Sequence, residues 1–282
     1  MTGFTLRNLR IFFRDKSAVF FSLLASFIII GLYVLFLGDV WVSSFEKIPH
    51  IRQVMDNWIM AGLLAITSVT TTMGAFGTMI NDKTRKIQKD LYAAPISRRS
   101  IAGGYVLSAF IIGLIISLVT LVLAQLYILW EGGNWMSLTT LFKVLGILLL
   151  STFTNTSMVF FLTTFFASEN AFSTASTVIG TLIGFITGIY LPTGNLPNAV
   201  QWVVKLFPSS HGAVLMRQAM MENAMNQSFS NIDDMTWFKE FAGVTFIFGD
   251  KIVSPLMSIL FLLISGCVFF ALAVFNVSRK KK

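Results

Sequence analysis

The stretch Asn81-Asp-Lys-Thr-Arg-Lys-Ile-Gln-Lys-Asp-Leu-Tyr-Ala-Ala-Pro-Ile-Ser-Arg-Arg-Ser100 stands between two long apolar runs. Lys83, Arg85, Lys86, Lys89, Arg98 and Arg99 face only Asp82 and Asp90, a net of +4. The runs on either side are almost free of charge and each is long enough to span a bilayer. A compact charged segment between two such runs is a cytoplasmic loop, because Lys and Arg are retained on that side. Charge alone leaves two roles open: a cluster that only orients the chain, or a helix on which another protein pushes.

The rest of the chain agrees with a membrane setting. Of 282 residues, 55% are hydrophobic and 12% charged, where a soluble domain carries about 25% charged residues. The mean hydropathy is +0.76. The net charge of +8 sits beside the apolar runs, which points to topology and anionic lipid rather than nucleic acid. Cys267, the single cysteine, excludes an intrachain disulfide and a cysteine-pair metal site. It reads as a small buried or lipid-facing hydrophobe.

Six stretches meet the length of a membrane helix: 18–37, 57–80, 101–130, 138–166, 171–191 and 254–276. The predicted fold is therefore all-α, a single transmembrane domain over 1–282 with six spans. Basic flanks orient it. Residues 1–17, the segment 81–100 and the terminal Arg279-Lys-Lys-Lys282 share a side only if both termini are cytoplasmic and the segment 192–253 is outside. The membrane is then the cytoplasmic (plasma) membrane. The first apolar run spans a full bilayer without an evident cleavage site, so it reads as a retained anchor. Before it, Phe4, Leu6, Leu9, Ile11, Phe12 and Phe13 alternate with Arg7, Arg10 and Arg14, the pattern of an interfacial amphipathic helix. Trp41, Trp58, Trp130, Trp135, Trp202 and Trp237 fall mostly at span ends or in outer loops, as interfacial anchors do.

Polar residues inside the spans are hydroxyls, glycines and one amide. Span two holds Thr67, Thr70 and Thr71 with Gly74 and Gly77. Span five holds Thr177 and Thr181 with Gly180, Gly184 and Gly188, and glycines four apart share a helix face open to close approach. Asn155 in span four is costly to expose to lipid and is expected to face the bundle or a neighbouring subunit. These residues serve either helix packing or a transport path. No Asp, Glu or Arg lies at the centre of a span, so nothing resembles a proton relay and the energy source lies elsewhere.

Catalytic motifs are missing. There is no His-Glu-x-x-His, no Gly-x-Ser-x-Gly and no Gly-x-x-x-x-Gly-Lys-Ser/Thr. His50 and His211 both sit in outer segments, which argues against a metal site. Met216, Met220, Met221 and Met225 read as an apolar helix face lying on the membrane rather than a soft-metal site.

Three stretches together carry a family resemblance over essentially the whole chain. Leu6-Arg-Asn-Leu-Arg-Ile-Phe-Phe-Arg-Asp-Lys16 resembles a cytoplasmic connecting helix before the first span. The segment 81–100, followed by Gly103-Gly104-Tyr105, is similar to a stretch with glutamate-arginine, a leucine, then proline-x-serine-arginine. Gly188-Ile-Tyr-Leu-Pro192, Leu196-Pro197 and Val200-Gln-Trp-Val-Val-Lys-Leu-Phe-Pro208 resemble re-entrant outer helices before the last span. In this order they resemble the membrane permease of type-2 ABC exporters, the family of drug, antibiotic-peptide, polysaccharide and lipid exporters. The chain departs from that pattern at Asn81-Asp82, at Lys86-Ile87 and in its long outer segment.

The resemblance implies short re-entrant outer helices between spans five and six, two permease subunits (identical or different) and two ATP-binding subunits that hold ATP and Mg. The chain itself would carry no cofactor, metal or catalytic residue. It implies a coupling helix over 82–97, with Lys83, Arg85, Lys86, Lys89, Asp90, Leu91, Pro95, Ser97 and Arg98 at the ATPase contact. Arg7, Arg10, Phe13 and Arg14 would mark the interfacial helix, and spans two and five would line the path. Composition also fits a membrane-embedded scaffold or enzyme subunit, or an ion-coupled carrier.

Overall fold

The computed structural model describes residues 1–249 and 251–279. Asp250 and residues 280–282, which include the last lysines of the basic tail, lie outside the described residues, as do the side chains of Ala25, Tyr92 and Arg98. The chain is a bundle of helices. Helix α1 (Thr2–Arg14) ends at Asp15, whose carboxylate accepts from the Ala18 amide and caps α2 (Lys16–Leu32). One π turn, Tyr33–Leu37, carries α2 into α3 (Gly38–Ser44). There follow α4 (Ile51–Thr84), α5 (Ile87–Ala93), α6 (Arg98–Trp130), α7 (Leu138–Thr163) and α8 (Glu169–Ile186). Beyond a 3₁₀ turn, Thr193–Asn195, lie α9 (Asn198–Leu206), α10 (Pro208–Ser228) and α11 (Ile232–Phe241). The antiparallel pair β1 (Ile247–Phe248) and β2 (Lys251–Ile252) precedes α12 (Pro255–Arg279). Ser97, Ser137 and Ser168 open α6, α7 and α8, each Oγ accepting a backbone N–H from the first turn.

Among the described residues, five helical segments are long and apolar enough to cross a membrane: Lys16–Ser44, α4, most of α6, α7 and α12. The expected fifth span is the one that falls short. Helix α8 opens on Glu169 and Asn170, then carries Ser173, Thr174, Ser176, Thr177 and Thr181 among its apolar residues. It also stops at Ile186, five residues before its expected end, because the backbone turns at Gly188 with φ +69°.

Helix α4 is the axis of the bundle. Its outward neighbours α2 and α12 are more apolar and far less buried. This inversion is what a hydrocarbon solvent imposes, since lipid tails solvate Leu and Phe and reject hydroxyls. Phe20 and Phe21 on α2, Phe36 in the π turn that follows it, and Leu256 and Ile264 on α12 are accordingly exposed, and Cys267 is exposed among them. The hydroxyls point inward instead. Ser26, Thr67 and Thr120 meet between α2, α4 and α6, and the Thr154 hydroxyl of α7 donates to the Leu262 carbonyl of α12 at 3.0 Å.

The ends of the bundle differ. At the basic end, α1 packs on α4 and α6, Lys83 donates to the Phe166 carbonyl, and Asn276 of α12 donates to Thr164. At the far end, α10 folds back into the bundle. Its Glu222 pairs with Lys143 near the start of α7, while Ser209 at its own start meets Asn155 deep in α7. At 1.5 Å per residue Asn155 lies about 25 Å below the first residue of α7. Helix α9 leads down to Pro208, which begins α10 at a position that needs no N–H.

Several sequence expectations change here. Trp58 is not an interfacial anchor; it is fully buried, its indole N–H donating to the Ala242 carbonyl at 2.7 Å. The methionines of α10 do not lie on the membrane surface; Met216, Met220, Met221 and Met225 are buried in the core that α10 shares with α4. Of the three glycines of span five only two share a helix face. Gly180 is open and Gly184 is covered by the folded-back Tyr190 ring, while Gly188 lies past the helix end.

Candidate functional site

The basic end carries a lock built from three helices. Asp82, in the last turn of α4, is 4% exposed. The Arg7 guanidinium of α1 grips it with two hydrogen bonds of 2.6 and 3.0 Å, and the Tyr105 hydroxyl of α6 donates to the same carboxylate. Such a bidentate, charge-assisted pair fixes geometry as well as contributing energy. The hydrogen bond to Asp82 holds the Arg7 guanidinium above its ordinary basicity, against the opposing pull of burial. Asn8 extends the lock, accepting from Arg7 at 2.9 Å and donating to Ser108 of α6 at 3.3 Å. Phe4 closes it edge-on against Tyr105, on the patch left bare by Gly104, where a Cβ would overlap the Phe4 ring. Arg7 therefore belongs to an ion pair inside the protein, while Arg10, Phe13 and Arg14 face outward.

Immediately beyond the lock lies the basic segment expected to couple to an ATPase. It is one short helix on a jointed stem. α4 runs through Thr84, Arg85 caps it, and Lys86 takes the left-handed conformation with φ +64°. Helix α5 then runs for seven residues and ends at Ala93. Ala94 is extended, as the residue before Pro95 must be. Ser97 caps the next helix. Within this segment Arg85, Lys86, Lys89, Asp90, Pro95 and Ser97 are exposed and Leu91 is half-buried. Lys83 is turned back into the bundle, toward the Phe166 carbonyl.

Above this segment a cavity of about 600 Å³ opens between α1, α4 and α8. Its walls mix hydroxyls and glycines, Thr70, Gly74, Gly77 and Thr78 from α4 and Ser173, Ser176 and Gly180 from α8, with apolar side chains such as Phe12, Val69, Met73, Phe172 and Ile179. Charged side chains, Arg7, Asp15, Asp82, Arg85 and Glu169, appear only toward the basic end. The sequence candidates separate in space. Thr70 and Gly180 line this cavity. Thr177 and Thr181 sit exposed on α8, their hydroxyls bonded to their own helix. Thr67 and Thr71 are buried away from it.

Asn155 faces the bundle. It donates to Ser68 of α4 at 2.7 Å and accepts from Ser209 of α10 at 2.7 Å. Ser68 lies about 25 Å from the first residue of α4, near its midpoint. This chain ties α4, α7 and the tip of the α9–α10 hairpin at one depth. The far half is filled by α10 itself. His211 bridges Ser258 of α12 and the Lys205 carbonyl; Nε2 must donate to the carbonyl, which leaves Nδ1 to accept from the serine. Arg217 is fully buried between the Trp58 ring, 4.8 Å away, and the carbonyls of Gly188 and Gly243. Sequence reading missed Arg217 and the Asp82 lock and grouped Trp58 with the interfacial anchors. Only Asp82, an acid inside a basic block, carried a signal.

A bundle of apolar helices with hydroxyls buried between them and a short exposed helix at its basic end defines a multi-pass membrane protein. Residues 41–275 match the family described as ABC-2 family transporter protein. The chain belongs to that family and is the permease of a type-2 ABC transporter, a transport subunit that associates with an ABC ATPase rather than a catalytic one. Comparison with individually curated proteins gives no match.

Proposed function

We propose that the chain is the permease of an ATP-driven exporter that moves an amphiphilic or hydrophobic substrate outward across the cytoplasmic membrane. Two copies, or this chain and a related one, stand against each other across α8. Two ATPase subunits with ATP and Mg bind at the basic end, which faces the cytoplasm. Helix α8 is the sixth crossing, short because it lines an interior rather than meeting lipid. The observation that carries the reading is α5, a seven-residue helix at the end of the buried rod α4. It rests in an ATPase groove, and closure of the ATPases moves it. The lock at Asp82 passes the same motion to α1 and α6. Substrate enters the cavity between α4 and α8, and the α9–α10 hairpin closes the far side until ATP binds.

The test is charge reversal of the exposed face, Arg85→Glu, Lys86→Glu and Lys89→Glu together. The variant is expected to insert and co-purify as a folded permease, while substrate-dependent ATPase activity and transport fall to background. Normal transport by this triple variant would remove α5 from the mechanism. Failure of any ATPase to co-purify with the unaltered permease would remove the whole reading.

A further inference from the structure

A second cavity lies at the far end, on the opposite side of α10 from α4. It measures about 800 Å³ and is enclosed by the first half of α7, α10, the start of α12 and α11. Its walls are apolar at Phe142, Ile147, Met221 and Ile259. The helices at its mouth present bare hydrocarbon, Phe142 being 70% and Leu256 of α12 64% exposed. A cleft flanked by such residues opens sideways into a leaflet rather than upward into water.

Among its polar groups, the Lys239 ammonium, the Gln218 amide oxygen and the Arg217 Nε are engaged by no hydrogen bond among the described residues. Lys143 and Glu222 neutralise each other at 2.8 Å. Lys239 of α11 is half-buried on the wall and pairs with no carboxylate among the described residues. Gln218 donates its amide N–H to the Val244 carbonyl at 2.9 Å, which fixes which end of the amide is oxygen. That oxygen is buried and receives no hydrogen bond. A buried acceptor without a donor is costly, and a ligand hydroxyl would relieve it. The terminal nitrogens of Arg217 donate to the Gly243 and Gly188 carbonyls and its guanidinium lies over Trp58 on the α4 side, while its buried Nε has no acceptor.

We propose that this cleft binds an acidic glycerophospholipid of the far-end leaflet whose headgroup carries a free hydroxyl. The acyl chains lie along Phe142, Ile147 and Ile259, the phosphodiester faces Lys239, and a headgroup hydroxyl donates to Gln218. Apolar walls exclude a free phosphate ester, and the unpaired cation disfavours a zwitterionic headgroup, whose own ammonium competes for the phosphate. The site lies apart from the α4–α8 cavity and does not depend on the transport reading, which supplies only the name of the leaflet, the outer one.

The test uses the permease in nanodiscs of phosphatidylcholine containing a trace of photoactivatable phosphatidylglycerol or, separately, photoactivatable phosphatidylcholine. The glycerol probe is expected to label the segments 142–150 and 218–226 about tenfold more than the choline probe, the ratio that one charged hydrogen bond supports. Lys239→Gln and Gln218→Leu should each erase that excess and leave choline labelling unchanged. Lys239 makes no side-chain hydrogen bond among the described residues, so Lys239→Gln keeps the test valid if Gln218→Leu fails to fold. Equal labelling by the two probes would overturn the proposal, as would labelling that survives Lys239→Gln or is displaced by free glycerol phosphate. Loss of this labelling preference alongside a still-uncoupled charge-reversal triple would sink the lipid site and leave the exporter reading standing.

Discussion

Asp82 accepts hydrogen bonds from two other helices while almost no water reaches it. A carboxylate in that position is stabilised by its donors and destabilised by their loss, so the three side chains should behave as a unit. In a double-mutant cycle of Arg7→Ala and Asp82→Ala, thermal denaturation in detergent should give a coupling on the order of 1 kcal/mol. The double variant is expected to be little worse than Asp82→Ala alone. Strict additivity of the two losses would mean that Arg7 and Asp82 do not act on each other. Lys86 makes a different point. Its left-handed backbone costs a non-glycine residue about 1–2 kcal/mol, and a β-branched side chain more. Lys86→Gly should therefore keep the α4–α5 joint and leave transport near normal, whereas Lys86→Val should impair coupling. Equal activity in transport assays of the two variants would show that the joint can be rebuilt in another conformation.

Helices differ in how readable they were, and the bilayer explains why. A run of about 20 apolar residues has one physical outcome in lipid, so α2, α4, α6, α7 and α12 followed from composition alone. Helix α8 carries enough hydroxyls to blur that signal, and its end depended on a turn at Gly188 that hydropathy does not register. The α9–α10 hairpin was harder. Resemblance placed re-entrant helices between the last two spans, but not how deep α10 goes. With His211, Arg217 and Glu222 it averages to the polarity of a soluble helix, and the carbonyls and serines that satisfy these groups lie far away in sequence. The exposed hydroxyl face of α8 leads to a prediction at this level. In a Cys267→Ala background, Thr177→Cys or Thr181→Cys should form a disulfide-linked dimer on mild oxidation, because paired α8 helices would bring their Cα atoms within about 7 Å. A cysteine at Leu256, on the lipid-facing side of α12, should not. Cross-linking at Leu256 with none at α8 would move the subunit contact to another face.

For the molecule as a whole, the division of polarity sets what can move. Lipid-facing helices α2 and α12 are smooth and apolar, while contacts that specify position cluster along α4. The Asp82 lock lay hidden because its partners are 75 and 23 residues away, a distance no local pattern bridges. The basic segment around α5 stood out in the sequence because charge is scarce in such a chain. Helix α4 has 34 residues and so reaches about 51 Å, unbroken from the far end to the basic end. The Ser68–Asn155–Ser209 tie grips it near the middle. A rod held at its centre is a seesaw with equal arms. Trp58 lies about 15 Å from Ser68 and the α5 end of the helix about 24 Å. A sideways displacement of α5 would then be returned at Trp58, the seat of Arg217, with opposite sign and roughly six-tenths of its size.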